Sequence, residues 1–344
     1  MNISKEEITF LIKNLKAENF LGKEVTISSF TYPDSIMPHW KQFNKSHFEK
    51  TIKNSNARKA RIYVHIPFCN KRCTFCPFVT TVIKQEEEHS KYVQYIKKEI
   101  EQTMNLVGHT EVEELYFGGG TASILSAKLL KDILFYLKDK FSISKEYTWT
   151  LEGSPETITE EKLQIMKEAG VSRFSLGVQS LDDEVLRKVN RPHDANQAVI
   201  AINLIKNTNF HMFNVDVIPC LPEQTLESFA DTIEKLAKLQ VPTLAINPLT
   251  VISTTGLRNY KIDLTLHAQM MTKAKEILLK ESYVQIRPTY FAQKKCVDGW
   301  KQDLALVQHK PQGVLERRKL GLGIAASSQI GNYCYIKTNN IKEY

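Results

Sequence analysis

Residues 63–78 read YVHIPFCNKRCTFCPF. The run IYVHI (62–66) is rich in β-branched and aromatic residues and reads as a strand, and Cys69, Cys73 and Cys76 follow just past its C-terminal end. Three clustered thiols are an unusual number. Disulfides use cysteines in pairs, and structural zinc usually takes four ligands. A cubane [4Fe–4S] cluster is held by thiolates, most often four, so three leave one iron without a protein ligand and able to bind a small molecule. The CxxxCxxC spacing lets a single loop wrap three corners of the cube. A zinc site with His65 as fourth ligand is the alternative, although closed zinc sites normally show paired CxxC or HxxxH spacing. Alternation along the strand also permits His65 to be an ordinary core histidine. Inert buried cysteines would require three of the six in the chain to gather in one loop by chance.

Outward from this loop, short β-rich runs alternate with helical patterns. Strands are predicted at 62–66, 112–117, 147–152, 173–178, 213–218 and 243–249, and helices near 86–107, 126–140, 159–169, 182–207, 225–240 and 265–281. Six such units predict an α/β fold, a partial (βα)6 TIM-like barrel with a parallel sheet and helices outside. The expected division is an N-terminal helical extension (1–57), a core barrel (58–290) and a C-terminal extension (291–344). Cys69, Gly118 to Thr121, Glu152, Gln179 and Asp216 all fall at or just past predicted strand ends. In βα-barrels that rim builds the active site.

The bulk composition excludes several classes. The hydrophobic fraction of 42% and charged fraction of 24% are those of an ordinary globular chain. No apolar run approaches the about 18 to 20 residues needed to span a bilayer. The N-terminus mixes acids into its apolar positions, so it is no signal peptide. It reads as an amphipathic helix, with Ser4 and Glu7 at capping-box spacing and Ile8, Leu11, Ile12 and Leu15 on one face. A cytoplasmic location is expected, with Cys220, Cys296 and Cys334 as free thiols. Net charge is +8, and the stretch 284–344 carries 10 Lys and Arg against 4 Asp and Glu, which fits an anionic small-molecule substrate. The basic residues form no dense run, and neither a nucleic-acid nor a membrane partner is expected.

The stretch YVHIPFCNKRCTFCPF resembles the radical S-adenosylmethionine (SAM) superfamily, and within it the branch that contains the oxygen-independent coproporphyrinogen III oxidases. The resemblance implies that the vacant iron chelates the amino and carboxylate groups of SAM. Reductive cleavage, with an external donor such as flavodoxin or ferredoxin, would then yield methionine and a 5′-deoxyadenosyl radical that takes hydrogen from substrate. It covers about residues 60 to 255, with a further match near 320 to 331.

The remaining motifs acquire roles through that resemblance. YFGGGTAS places Gly119, Gly120 and Thr121 where the superfamily holds the methionine end of SAM. Glycines allow close backbone approach, and their N–H groups can cradle a carboxylate. The family usually has Pro where this chain has Ala122. Glu152 is implied to accept hydrogen bonds from the ribose, and Gln179 and Arg191 to contact SAM, the arginine through its carboxylate. Asp216 is a charge inside an apolar strand, so it needs a partner or a polar cavity, and ribose or sulfonium contact would satisfy it. Family members read Gly-Leu-Pro-Gly where this chain has Cys220-Leu-Pro-Glu223, and Cys220 is expected to pack as a small hydrophobe. Phe78 matches an aromatic near adenine, where some of the oxidases carry a fourth cysteine. Tyr63 and Phe75 match positions that help hold a second SAM. LGLGIAASSQIG (320–331) resembles the family's later glycine-rich motif.

The chain stops 13 residues after Gly331, so the family's substrate-covering C-terminal domain is expected to be absent or truncated. The substrate is expected to be a tetrapyrrole or another anionic metabolite. The same branch includes C-methyltransferases that use a second SAM and a haem chaperone. The His-Asn…Tyr-Trp stretch expected of that chaperone is replaced by FAQKKCVDGWKQD.

Overall fold

Alternation in Lys59–Ile66 decides how the sheet faces its two sides. Ala60, Ile62, Val64 and Ile66 are buried to within 1% exposure and join the main apolar core, while Arg61, Tyr63 and His65 point to the opposite face. This segment is β1 of a computed structural model that describes residues 45–54, 57–298, 317–330 and 333–344. The predicted helix around Ser4 to Leu15 lies outside the described residues. Helix α1 (Lys45–Asn54) precedes β1.

Five further strands continue the pattern: β2 (Glu111–Gly119), β3 (Ser142–Gly153), β4 (Arg173–Gln179), β5 (Met212–Val217) and β6 (Thr243–Ile246). They lie side by side in sequence order and all pair in parallel. The intervening helices are α2 (Glu86–Val107), α3 (Ala127–Lys140), α4 (Glu160–Ala169), α5 (Asp183–Lys188), α6 (Ala195–Thr208) and α7 (Leu226–Lys238), and α8 (Leu264–Lys280) follows β6. The apolar stripes of all of these but α5 share one core cluster with the outward sheet face, and Val185 of α5 packs with Cys73 and Phe75 in a second. Six parallel βα units stand as expected, as an open and partial barrel.

Two features differ from the sequence expectation. First, the sheet has eleven strands among the described residues, because short segments extend both edges. A hairpin, β7 (Tyr283–Arg287) and β8 (Tyr290–Gln293), adds antiparallel to β6. At the other edge β9 (Arg317–Leu322) pairs in parallel with β1, followed by β10 (Ser327–Ile330) and β11 (Tyr333–Ile336). These runs are short or charge-rich and lack a strong period of two. Second, the helix predicted over 182–207 is broken. α5 ends at Lys188, Asn190 takes φ 57°, Pro192 follows, and Asp194 starts α6 with a capping box to Gln197. The break places Arg191 in a connector instead of on a helix.

The turn after β5 exposes a local cost. Gln224 N–H donates to the Leu221 carbonyl at 3.0 Å, closing a turn with Pro222 and Glu223 at its centre, and Glu223 has φ 66°. Positive φ at the third position is a glycine requirement. Glu223→Gly should therefore raise stability by about 1 kcal/mol, read as a higher thermal midpoint. The exposed Lys188–Glu223 ion pair at 3.1 Å contributes little against this.

Candidate active site at the C-terminal rim

Because β1 to β6 are parallel, their C-terminal ends share one rim. The register sets Ile66 beside Gly119, Gly118 beside His65, and Gly177 beside Asp216. The cysteine loop leaves β1 here. Its entry is pinned by Thr81 N–H to the Pro67 carbonyl at 2.8 Å and Cys69 N–H to the Thr81 carbonyl at 3.0 Å. The turn from Cys73 to Cys76 closes with a 3.2 Å hydrogen bond.

The glycine loop after β2 packs directly under the cysteines. Gly120 N–H donates to the Ile66 carbonyl at 2.8 Å and Thr121 N–H to the Phe68 carbonyl at 2.9 Å. The Gly120 and Thr121 N–H groups are thus engaged with the cysteine loop and are not open donors for a ligand carboxylate. The glycines serve close approach: a Cβ on Gly119 would lie 2.7 Å from the His65 ring, and one on Gly120 only 2.6 Å from the Phe68 carbonyl oxygen. Thr121 Oγ1 lies 3.6 Å from Cys69 Sγ.

His65 is a satisfied core histidine and no metal ligand. Nε2 lies 2.9 Å from the Val79 carbonyl and so carries the proton, and Nδ1 lies 3.1 Å from the Tyr63 hydroxyl, which donates to it. Among the described residues no three His, Cys, Asp or Glu side chains converge on a single ion. With both of its ring nitrogens already hydrogen-bonded, His65 does not serve as the fourth ligand of a zinc site. A cubane's thiolates bind different irons and stand further apart than the ligands of one ion.

The donor set fits a cluster. Burial pushes the Cys69 thiol up to about 12, against the Thr121 hydrogen bond, and the Cys76 thiol up to about 11. Metal-free, these thiols are protonated, and cluster assembly must displace their protons. Arg191 supplies compensating charge: Nη1 donates to Cys73 Sγ at 3.2 Å and Nη2 to Ser154 Oγ at 3.0 Å and to the Gly177 carbonyl. Among the described residues its buried Nε has no partner, and neither does Gln179 Oε1. Orphaned polar atoms at this rim suit a polar ligand.

Two carboxylates face the lumen between the strands. Glu152 accepts from the Tyr116 hydroxyl. Asp216 accepts from Ser175 Oγ at 2.7 Å and from the Asn214 and Asn247 amides at 3.0 Å each, so the partner that its strand position demanded is a set of three. Burial lifts the Glu152 pKa to about 7; the Tyr116 hydrogen bond opposes this and the nearby Asp216 charge adds to it. A raised carboxyl pKa means that the folded state holds its proton longer than the unfolded chain. Its contribution to stability is complete below the ordinary 4.5 and is lost as pH rises to about 7. Glu152→Gln should therefore gain on the wild type by roughly 1–3 kcal/mol between pH 4 and pH 8, measured by denaturant unfolding of the metal-free proteins.

The aromatic positions separate. Tyr63 lies in the lumen with its ring 5.9 Å from that of Tyr116. Phe75 packs with Cys73, Val189, Leu221 and Leu249, and Phe78 is 48% exposed. Cys220 is buried against the Met270 sulfur at 3.8 Å, as a small hydrophobe. Gly323 of the later glycine-rich motif has φ 93°, and a Cβ there would lie 2.5 Å from the Tyr92 hydroxyl. That hydroxyl donates to the His65 carbonyl at 2.9 Å, so the motif supports the end of β1. Tyr92, Tyr116, Ser154, Ser175, Asn214 and Asn247 carried no distinguishing sequence signal, since each has a partner distant in the chain, even where Ser154 and Asn214 also meet an acid two residues on.

Comparison with known proteins agrees with this geometry. Residues 63–236 match the family model of the radical SAM superfamily. The oxygen-independent coproporphyrinogen III oxidase of Escherichia coli (strain K12) is 28% identical across 99% of this chain and 76% of its own length. Heme chaperone HemW of the same organism is 30% identical, but over 55% of this chain and 50% of its own. The solved structure of coproporphyrinogen III oxidase (HemN) from Escherichia coli, a radical SAM enzyme, superposes with a TM-score of 0.77 at 27% identity, covering 88% of this chain and 72% of that one. The family implies a [4Fe–4S] cluster and SAM, for which the three cysteines and the lumen carboxylates are the fitting residues. The thiol loop, the glycine loop beneath it and the family match over half the chain lead to one assignment: the protein belongs to the radical SAM superfamily.

Proposed function

We propose that the protein is a coproporphyrinogen III oxidase-like radical SAM enzyme acting on an anionic tetrapyrrole. The single observation that carries the reading is the convergence on one rim of Cys69, Cys73 and Cys76 with Arg191, Glu152 and Asp216. The cluster and SAM, when bound, supply the one-electron chemistry that generates the hydrogen-abstracting radical. The chain's own part is to bind and orient. Cys69, Cys73 and Cys76 would hold the cluster, and Arg191 would turn its unpartnered Nε–H and its positive charge to a carboxylate. Glu152 and Asp216 present acceptors to the ribose side, and the Gly119–Gly120 backbone sets the floor. Tyr63 and Phe75 are the candidates for contact with a second SAM. The external reductant, of flavodoxin or ferredoxin type, is part of the same proposal.

Similarity to the oxidases along 99% of the chain, against 55% for HemW, supports oxidation over haem delivery. The test is anaerobic turnover with a reduced donor, SAM and coproporphyrinogen III, followed by mass spectrometry. Formation of 5′-deoxyadenosine with loss of carbon dioxide from the tetrapyrrole is expected. A product that gains a methyl group would replace oxidation with C-methylation. Tight retention of haem on gel filtration without any 5′-deoxyadenosine would instead establish the chaperone reading.

A further inference from the structure

Behind the lumen, one buried carboxylate gathers contacts from three loops. Glu156 lies in the short turn after β3, with its side chain 10% exposed. Its Oε1 accepts from Asn70 Nδ2 at 3.5 Å, and Asn70 is the neighbour of Cys69 in the cysteine loop. Its Oε2 accepts from Ser154 Oγ at 2.5 Å and lies 3.5 Å from His193 Nδ1. Ser154 Oγ in turn accepts from Arg191 Nη2 at 3.0 Å, and Nη1 of the same guanidinium donates to Cys73 Sγ at 3.2 Å. Glu156 thus reaches both sides of the cysteine loop, directly at Asn70 and through two links at Cys73.

The direction of the Ser154 hydroxyl is the critical detail. Because its proton points at Glu156, its lone pairs face Arg191. Without the carboxylate the hydroxyl can turn, and the guanidinium loses a fixed acceptor. The connector carrying Arg191 is held on its other side by His193, whose Nε2 lies 3.2 Å from the Val178 carbonyl. Asn190 Nδ2 on the same connector donates to the Arg72 carbonyl at 2.8 Å, and Thr74 N–H donates to the Val189 carbonyl at 3.1 Å. A carboxylate is costly to bury unless hydrogen-bonded, and an apolar side chain would fill this place without that cost. Orientation of its neighbours is what the charge adds.

We propose that Glu156 is a positioning residue that fixes, through Ser154, the direction from which Arg191 meets Cys73, and through Asn70 the course of the loop beside Cys69. The inference rests on the reading of the three cysteines as cluster ligands. Hydrogen bonds to ligating sulfurs set cluster potentials, and outer partners of metal ligands are worth about 10- to 100-fold in affinity or activity.

The test compares wild type, Glu156→Ala, Glu156→Gln and Ser154→Ala after anaerobic reconstitution. Iron content, midpoint potential, the electron paramagnetic resonance spectrum of the reduced cluster and SAM affinity are read for each. Wild-type iron content is expected throughout. Glu156→Ala and Ser154→Ala should shift spectrum and potential in the same direction and bind SAM roughly tenfold more weakly. Glu156→Gln, which keeps a carbonyl acceptor for Ser154, should recover most of the difference. Unchanged spectrum, potential and affinity in the two alanine variants would overturn the proposal. If Glu156→Ala does not fold, Ser154→Ala decides by the same readings, because it removes only one hydroxyl from the path. A wild-type chain that takes up no iron and sulfide overturns the cluster reading itself, a result distinct from a silent variant of an iron-loaded protein.

Discussion

Cys73→Ala should yield a protein that folds but stays colourless after anaerobic reconstitution and forms no 5′-deoxyadenosine from SAM. Cys73 is 8% exposed and is the thiol that receives the Arg191 guanidinium. Two thiolates cannot hold a cube that already lacks its fourth protein ligand, so the loss should be complete and not graded. Removal of one buried sulfur costs folding only about 1 kcal/mol, because cysteine behaves as a small hydrophobe. The thermal midpoint of the metal-free protein should therefore shift by a few degrees only. Brown colour and full iron content in Cys73→Ala would remove this residue from the ligand set.

Gly120→Ala should damage the site from below. The added Cβ would lie 2.6 Å from the Phe68 carbonyl oxygen and 2.8 Å from the Pro67 carbonyl. These are backbone atoms at the entry of the cysteine loop, and Gly120 N–H is itself bonded to the Ile66 carbonyl at 2.8 Å. Neither side can rotate away, so the two loops must separate. The cost in stability should be roughly 1–3 kcal/mol, as for other overpacked sites. SAM cleavage should fall about 100-fold, the usual penalty for an ångström of misplacement at a reacting centre. Both are measurable, by denaturant unfolding and by single-turnover formation of 5′-deoxyadenosine. A variant with wild-type cleavage would show that the glycine loop does not set the height of the cysteine loop.

Much of this architecture was legible one segment at a time. Strand alternation in 62–66 and the helical period over 86–107 are local patterns, and the structure has β1 and α2 over them. The cysteine spacing is likewise local, since all three thiols lie within eight positions of one loop. Asp216, an acid within an apolar strand, announced the need for a partner but not which one. The Ser175, Asn214 and Asn247 side chains that meet it come from β4, from its own strand β5 and from the end of β6. The break at 189–194 was masked by apolar periodicity running through Val185, Leu186, Val189 and Ala198, despite Pro192. Of the N–H groups expected to form a cradle at Gly119, Gly120 and Thr121, the last two are taken by carbonyls at the entry of the cysteine loop, a contact that local sequence does not encode.

The sequence by itself determined the repeating βα units, the cysteine loop and the placement of the polar residues at strand ends, because periodicity and spacing act over a few residues. Only the tertiary structure decided which of those residues work together. Parallel pairing brings His65, Gly118, Glu152, Gly177 and Asp216 to one rim, although 151 residues separate the first from the last. It also turned His65 from a possible ligand into a fixed support and joined Glu156 to Cys73 through Ser154 and Arg191. Such contacts depend on strand register and close packing across distant segments, which no local pattern in the chain encodes.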